Sequence, residues 1–219
     1  MAKKHTHESV DTNIESLSKA EAFITKHNKK IIAGVIVLVL IVSAIIVWKY
    51  LAEKEKAESK ESFVSIERTY YSAADSLTYA ASLAELEQYI SKYEENTVEI
   101  AHFDAGVAAY NAKDFEKAVE HFSKYNSNDA IFNARKLACL GDCYAELQNY
   151  EKALENYSAA VYAADNYLAS EYAFKAGIVA EKLGNNEKAL EMYKIIKDKY
   201  SNSPRGNEID KYISRVEAK

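Results

Sequence analysis

The side chains best equipped for chemistry are few. Cys139 and Cys143 lie four residues apart, one helical turn, on either side of Gly141. That spacing permits a metal or redox pair in outline, but no further Cys or His stands at ligand spacing nearby. An i,i+4 pair on a helix also points its Cβ atoms poorly for a disulfide. Cys143 falls where a helical repeat packs, so buried thiols are the expectation, and two cysteines are too few for a disulfide framework. His102 and His121 are nineteen residues apart on different helices, with no convergent acidic partner evident from spacing. His5-Thr6-His7 is too sparse for a metal site. No glycine-rich phosphate loop occurs. No nucleophile, base and orienting group share one face, so the residues predict no enzyme, no metal and no cofactor.

Recognition chemistry is better represented. Seventeen residues are tyrosine, against seven phenylalanines and one tryptophan. A tyrosine ring offers a large apolar face and a polar tip, which suits the binding of extended peptides at low entropic cost. Tyr110, Tyr162 and Tyr172, with Asn111, are the candidate groove residues. Others, such as Tyr144, Tyr157 and Tyr193, sit at packing positions of a repeat, and core packing is the competing reading for every ring.

The repeat is what must position them. Gly106, Gly141 and Gly177 are 35 and 36 residues apart, an alanine follows each by twelve residues (Ala118, Ala153, Ala189), and an aromatic comes four later (Phe122, Tyr157, Tyr193). The intervening segments read NAKDFEKAVEHF, ELQNYEKALENY and KLGNNEKALEMY. This is the tetratricopeptide signature, a pair of helices whose small residues mark their close approach. The polar turns Lys113-Asp114, Gln148-Asn149 and Gly184-Asn185 separate the helices of each pair. Glu116, Glu151 and Glu187 then suit the positive end of the second helix dipole. One pair cannot bury its apolar face alone, so the units must stack. The predicted fold is all-α: a single N-terminal transmembrane helix followed by a tetratricopeptide α-solenoid.

The membrane helix is read from Ile31 to Trp48, eighteen uncharged residues whose only polar side chain is Ser43. As a helix this run is about 27 Å long, close to the roughly 30 Å of bilayer hydrocarbon. It exceeds the core of a secretory signal and no small-x-small cleavage pattern follows it. The expected organisation is a tail at 1–30, a span at 31–51, a solvated helical stalk at 52–62, a degenerate first helical pair at 63–96, and repeats at 97–219. Tyr200 to Gly206 reads as a loop, and Asn207 to Glu217 as a last helix capping the stack. In the tail, Ser18 to Lys30 reads as a turn or two of helix with Leu17, Phe23 and Ile24 at the interface. Over residues 53–219 there are 21 basic and 29 acidic side chains, a net of −8, the reverse of a nucleic-acid binder. Four positives precede the span closely and five follow, so charge counting does not set orientation. Lys29 and Lys30 abut the span while the later positives alternate with glutamates, which favours a cytoplasmic tail.

The order of span, repeats and terminal helix resembles the YfgM-like family of membrane-anchored tetratricopeptide proteins, ancillary subunits of the bacterial Sec translocon. The likeness rests on Tyr193-Lys194-Ile195-Ile196, Lys199-Tyr200-Ser201-Asn202-Ser203, Lys211-Tyr212-Ile213-Ser214-Arg215-Val216 and the run Ala138 to Glu146. It is similar to the forms found in the Bacteroidota and covers about residues 20–219. The resemblance implies an inner-membrane protein with its repeats in the periplasm. There it would assist exported client polypeptides beside the translocon, together with a membrane-bound chaperone. The family has no catalytic residues to carry over. The other function class consistent with the sequence is a structural scaffold for envelope or cell-division complexes.

Overall fold

The computed structural model describes residues 4–93, 95–163 and 166–218, and side chains at 18–19, 21–93, 99–163 and 166–218. His5, His7 and Leu17 therefore lie outside the described side chains. The chain divides into two units, Met1–Ala57 and Glu58–Lys219. Every described segment with regular structure is helical. The elements are α1 (Lys4–Ser72), α2 (Ser76–Lys92), α3 (Glu95–Asn111), α4 (Phe115–Lys124), α5 (Ala130–Glu146), α6 (Tyr150–Ala163), α7 (Ala169–Lys182), α8 (Asn186–Lys199) and α9 (Ile209–Glu217).

The first unit is helix α1 up to residue 57. Helix reaches back to Lys4, well before the Ser18 start expected from sequence. Extending an existing helix costs far less than nucleating one, so a strongly helical span carries its flank along. Residues 31–51 are exposed throughout, with Leu38 at 62% and Trp48 at 69%. This is the one stretch among the described residues long and apolar enough to cross a membrane. Ser43 Oγ donates to the Leu40 carbonyl at 2.9 Å, so the one hydroxyl in the run is satisfied within the helix.

In the second unit helices pack in consecutive antiparallel pairs, and the last turns of α1 serve as the first helix of the first pair. Ser59 is buried against α2, its hydroxyl 2.6 Å from the Tyr89 hydroxyl, while Phe63, Ile66 and Tyr70 pack on the same core. Packing thus begins inside the 52–62 segment that composition marked as solvated stalk. Two apolar clusters meet on α5. One joins Leu83, Leu86 and Phe122 to Cys143, and the other runs from Ala134 through Tyr157 and Tyr193 to Ile213. Ile209, Ile213 and Val216 of α9 are buried over the second cluster.

The turn inside each of the last three pairs is built in one way. After α3, α5 and α7 the chain takes a single left-handed residue, Lys113 (φ 68°), Gln148 (φ 59°) and Gly184 (φ 72°). The following N–H bonds back to the helix, Asp114 to the Ala109 carbonyl at 2.9 Å, Asn149 to Tyr144 at 2.8 Å and Asn185 to Ala180 at 2.8 Å, a Schellman ending. The same Asp or Asn then caps the next helix, its side chain accepting from the N–H of Lys117, Lys152 or Lys188, which satisfies a donor left over at the helix start. Only the third turn has the glycine that this backbone favours. Lys113→Gly and Gln148→Gly are each expected to raise stability by about 0.5 kcal/mol, relief of left-handed strain outweighing the added chain entropy. Urea midpoints of the single variants against wild type check this.

Candidate binding surface

The repeats form two helical layers. α3, α5 and α7, continued by the end of α1, make one layer; α2, α4, α6 and α8 make the other. Side-chain contacts run along each layer. Arg135 of α5 lies over the Phe103 ring of α3 at 5.5 Å, and Lys175 of α7 donates to Asp142 of α5 at 2.6 Å. In the other layer Lys117 of α4 donates to Glu87 of α2 at 2.9 Å, and Tyr162 of α6 to Glu191 of α8 at 3.0 Å.

The glycines explain how the layers approach. A Cβ built on Gly106 would lie 2.7 Å from the Phe122 ring, and one on Gly141 2.6 Å from the Tyr157 ring; on Gly177 it would press still closer on Tyr193. Each ring sits sixteen residues after its glycine, on the partner helix. Ala118, Ala153 and Ala189 are fully buried on those helices. The glycine–alanine–aromatic spacing thus sets a ring directly against bare backbone.

The four groove candidates do not converge. Tyr110 is half-buried on α3, edge-on to Phe115 at 5.4 Å, and burial pushes its hydroxyl up to about 12 with Asp142 adding to the effect. Asn111, exposed beside it, donates to the Val107 carbonyl at 2.9 Å. Tyr162 is 63% exposed but belongs to the opposite layer. Tyr172 is 7% exposed and lies in the core. Tyr110 and Asn111 adjoin at the end of α3 in the first layer; Tyr172, on α7 of that layer, is buried.

On α5 the same layer carries Asp142. Its Oδ1 accepts from the Tyr157 hydroxyl at 2.5 Å and from Lys175 Nζ at 2.6 Å. Burial, with Asp142 beside it, holds the Tyr157 hydroxyl far above the ordinary phenol range. The neighbouring thiols are also raised by burial, Cys139 to about 11 and Cys143 to about 12. At neutral pH both stay protonated and make poor nucleophiles. Both are free, and no group of three metal-ligating side chains occurs among the described residues.

His102 and His121 are brought together, which spacing did not reveal. Their Nδ1 atoms are 3.1 Å apart in the core, and His121 Nε2 is 3.5 Å from a Glu87 oxygen. Glu87, on α2, is the acidic partner that sequence inspection missed. Burial lowers the His121 pKa and outweighs the opposing pull of Glu87. Across that contact one Nδ1 donates and the other accepts, according to the tautomer of each ring. The pair thus reads as a satisfied polar tie between α3 and α4.

The C-terminal helix and the segment before it are fastened to the same layer by cations. Arg205 donates from two nitrogens to Glu171, at 2.7 and 3.0 Å, and stacks on Phe174 at 3.9 Å. Arg215 pairs with Glu181, which also accepts from the Tyr193 hydroxyl.

A family model described as tetratricopeptide repeat matches residues 140–204, from within α5 through α8 into the loop beyond. Among solved structures, the crystal structure of MamA is similar at 16% identity, over 64% of this chain and 88% of that one, with a TM-score of 0.48. No curated protein matches the chain. The paired packing and the matched family model support a tetratricopeptide-type α-solenoid. That architecture supports a general role in protein–protein interaction or scaffolding.

Proposed function

We propose that this chain is a membrane-anchored, non-enzymatic adapter whose repeats hold other polypeptides close to a bilayer. The supporting observation is the union of an uncovered apolar helix with a repeat stack whose reactive groups are silenced by burial or pairing. Residues 31–51 sit in the bacterial inner membrane in this reading, with the tail cytoplasmic and the repeats in the periplasm. Tethering raises the effective concentration of the repeats at a membrane partner without any new contact. The resemblance to the YfgM-like family makes the Sec translocon, with a membrane-bound periplasmic chaperone, the partner to test, and exported polypeptides the clients. The Tyr110–Asn111 face of the first layer receives them.

In-cell photocrosslinking from the span and from position 110, with neighbours identified by mass spectrometry, tests this reading. Translocon subunits are expected from the span, including after deletion of residues 63–219, and exported chains from position 110. Loss of every partner on that deletion points to a scaffold for envelope or cell-division complexes. Crosslinks only to cytoplasmic proteins from the repeats overturn the topology.

A further inference from the structure

Among the described acids of the first layer, one is buried without a hydrogen bond or ion pair. Asp104 of α3 is 9% exposed, and among the described residues no hydrogen bond or ion pair reaches its carboxylate. Elsewhere in the layer Asp142 is answered by Lys175 and Tyr157, Glu171 by Arg205, and Glu181 by Arg215. Asp104 therefore stands out against its own repeat. Its oxygens are not sealed from solvent, so a donor from outside can reach them. Buried polar groups are almost always paired, with protein or with water, so this carboxylate takes its donors from outside the fold.

What surrounds it defines the ligand. Glu67 and Tyr70, both half-buried on the last turns of α1, and Arg135 of α5 lie near enough to act on the charge of Asp104. Glu67 adds negative charge to the spot. Arg135 is exposed and lies over the Phe103 ring, with no ion pair to Asp104. The Tyr70 ring, edge-on to Tyr71 at 5.1 Å and Tyr79 at 6.1 Å, adds aromatic surface nearby. Two carboxylates beside an aromatic ring attract an ammonium or guanidinium by charge and by the ring quadrupole.

We propose that Glu67, Asp104 and Tyr70 form a receiving point for a lysine or arginine side chain of a bound polypeptide. This rests on the reading of the repeats as a polypeptide-binding surface and specifies what one end of it recognises. The net charge of −8 over residues 53–219, from 21 basic and 29 acidic side chains, draws a basic segment toward that end. Burial, reinforced by Glu67 and opposed by Arg135, pushes the Asp104 carboxyl up to about 6. Asp104 is thus charged at neutral pH and loses its charge as pH falls through about 6, which weakens cation binding.

The test uses the full chain in zwitterionic lipid nanodiscs and a fluorescently labelled hexalysine peptide, read by anisotropy. Asp104→Asn is expected to weaken binding about tenfold. Glu155→Gln, which removes an equal charge from an exposed position on α6, is expected to change it less than twofold. Lowering the pH from 7 to 5.5 is expected to weaken the wild type several-fold and the Asp104→Asn variant hardly at all. Equal effects of the two variants, or no binding by the wild type, overturn the proposal: the first leaves only diffuse attraction, the second no site. Client crosslinks at position 110 that persist in Asp104→Asn show that the adapter reading stands even where this site fails.

Discussion

Replacing Gly177 by alanine is expected to cost the second unit about 2 kcal/mol, enough to lower its melting temperature by about 4–8 °C at this size. Two terms oppose one another. Alanine in mid-helix is favoured over glycine by about 1 kcal/mol. Against this, the new methyl would overlap the Tyr193 ring more severely than at either equivalent glycine. That ring has nowhere to withdraw. It is fully buried, its hydroxyl donates to Glu181 at 2.8 Å, and Phe174 and Tyr212 stand 6.2 and 5.7 Å away, centroid to centroid. Overpacking a core of this kind costs about 1–3 kcal/mol, and the depth of the overlap puts this case at the upper end. Gly34→Ala is the control, since nothing lies within 4 Å of a Cβ there. Urea unfolding of the two variants beside wild type decides the matter. A Gly177→Ala protein as stable as wild type would mean that α7 and α8 can separate freely, and that the ring does not fix their spacing.

The same glycine shows how far the sequence could be read. Three glycines in register with three alanines and three aromatics are visible as spacing, and a period near 35 with that pattern is the mark of a stacked helical pair. Spacing does not say which side chain lands on the glycine, because that depends on how the two helices of a pair cross. Tyrosine was harder still. Tyr162 and Tyr172 look alike in the sequence, yet one is exposed in the second layer and the other is core. Helical phase fixes a face only once neighbours on both sides are known. The polar ties were invisible for a similar reason. Glu87 reaches His121 from 34 residues away, and Asp104 is conspicuous only because Glu67, on a different helix, shares its surroundings. Positive φ at Lys113 and Gln148 also left no trace, since neither residue type advertises it; Gly184 at the equivalent point was the available clue.

The span permits the sharpest outcome. The wild-type chain is expected to stay in the membrane pellet after alkaline carbonate extraction, and a chain lacking residues 31–51 to pass into the supernatant. Thirteen of the eighteen residues from Ile31 to Trp48 are Ile, Val or Leu. At about −0.3 to −0.6 kcal/mol each in a membrane helix they contribute about −4 to −8 kcal/mol. None is covered by protein, so nothing within the chain competes with lipid for them. Their β-branched character would favour a strand in water, but a lone strand leaves its backbone unpaired in hydrocarbon, and the helix satisfies every interior amide. A finer variant, Leu38→Lys with Leu40→Lys, places two charges near mid-bilayer. At about 2.5–3.5 kcal/mol apiece, plus the lost leucine contributions, they offset most or all of the gain. That variant is expected in the supernatant with its repeats still folded by circular dichroism, because residues 38 and 40 lie in the first unit, outside the repeats. Carbonate-soluble wild type would remove the tether, and with it the reason for placing the repeats beside a translocon. Pelleting of the double-lysine variant would instead show that something other than these thirteen side chains holds the chain to the membrane.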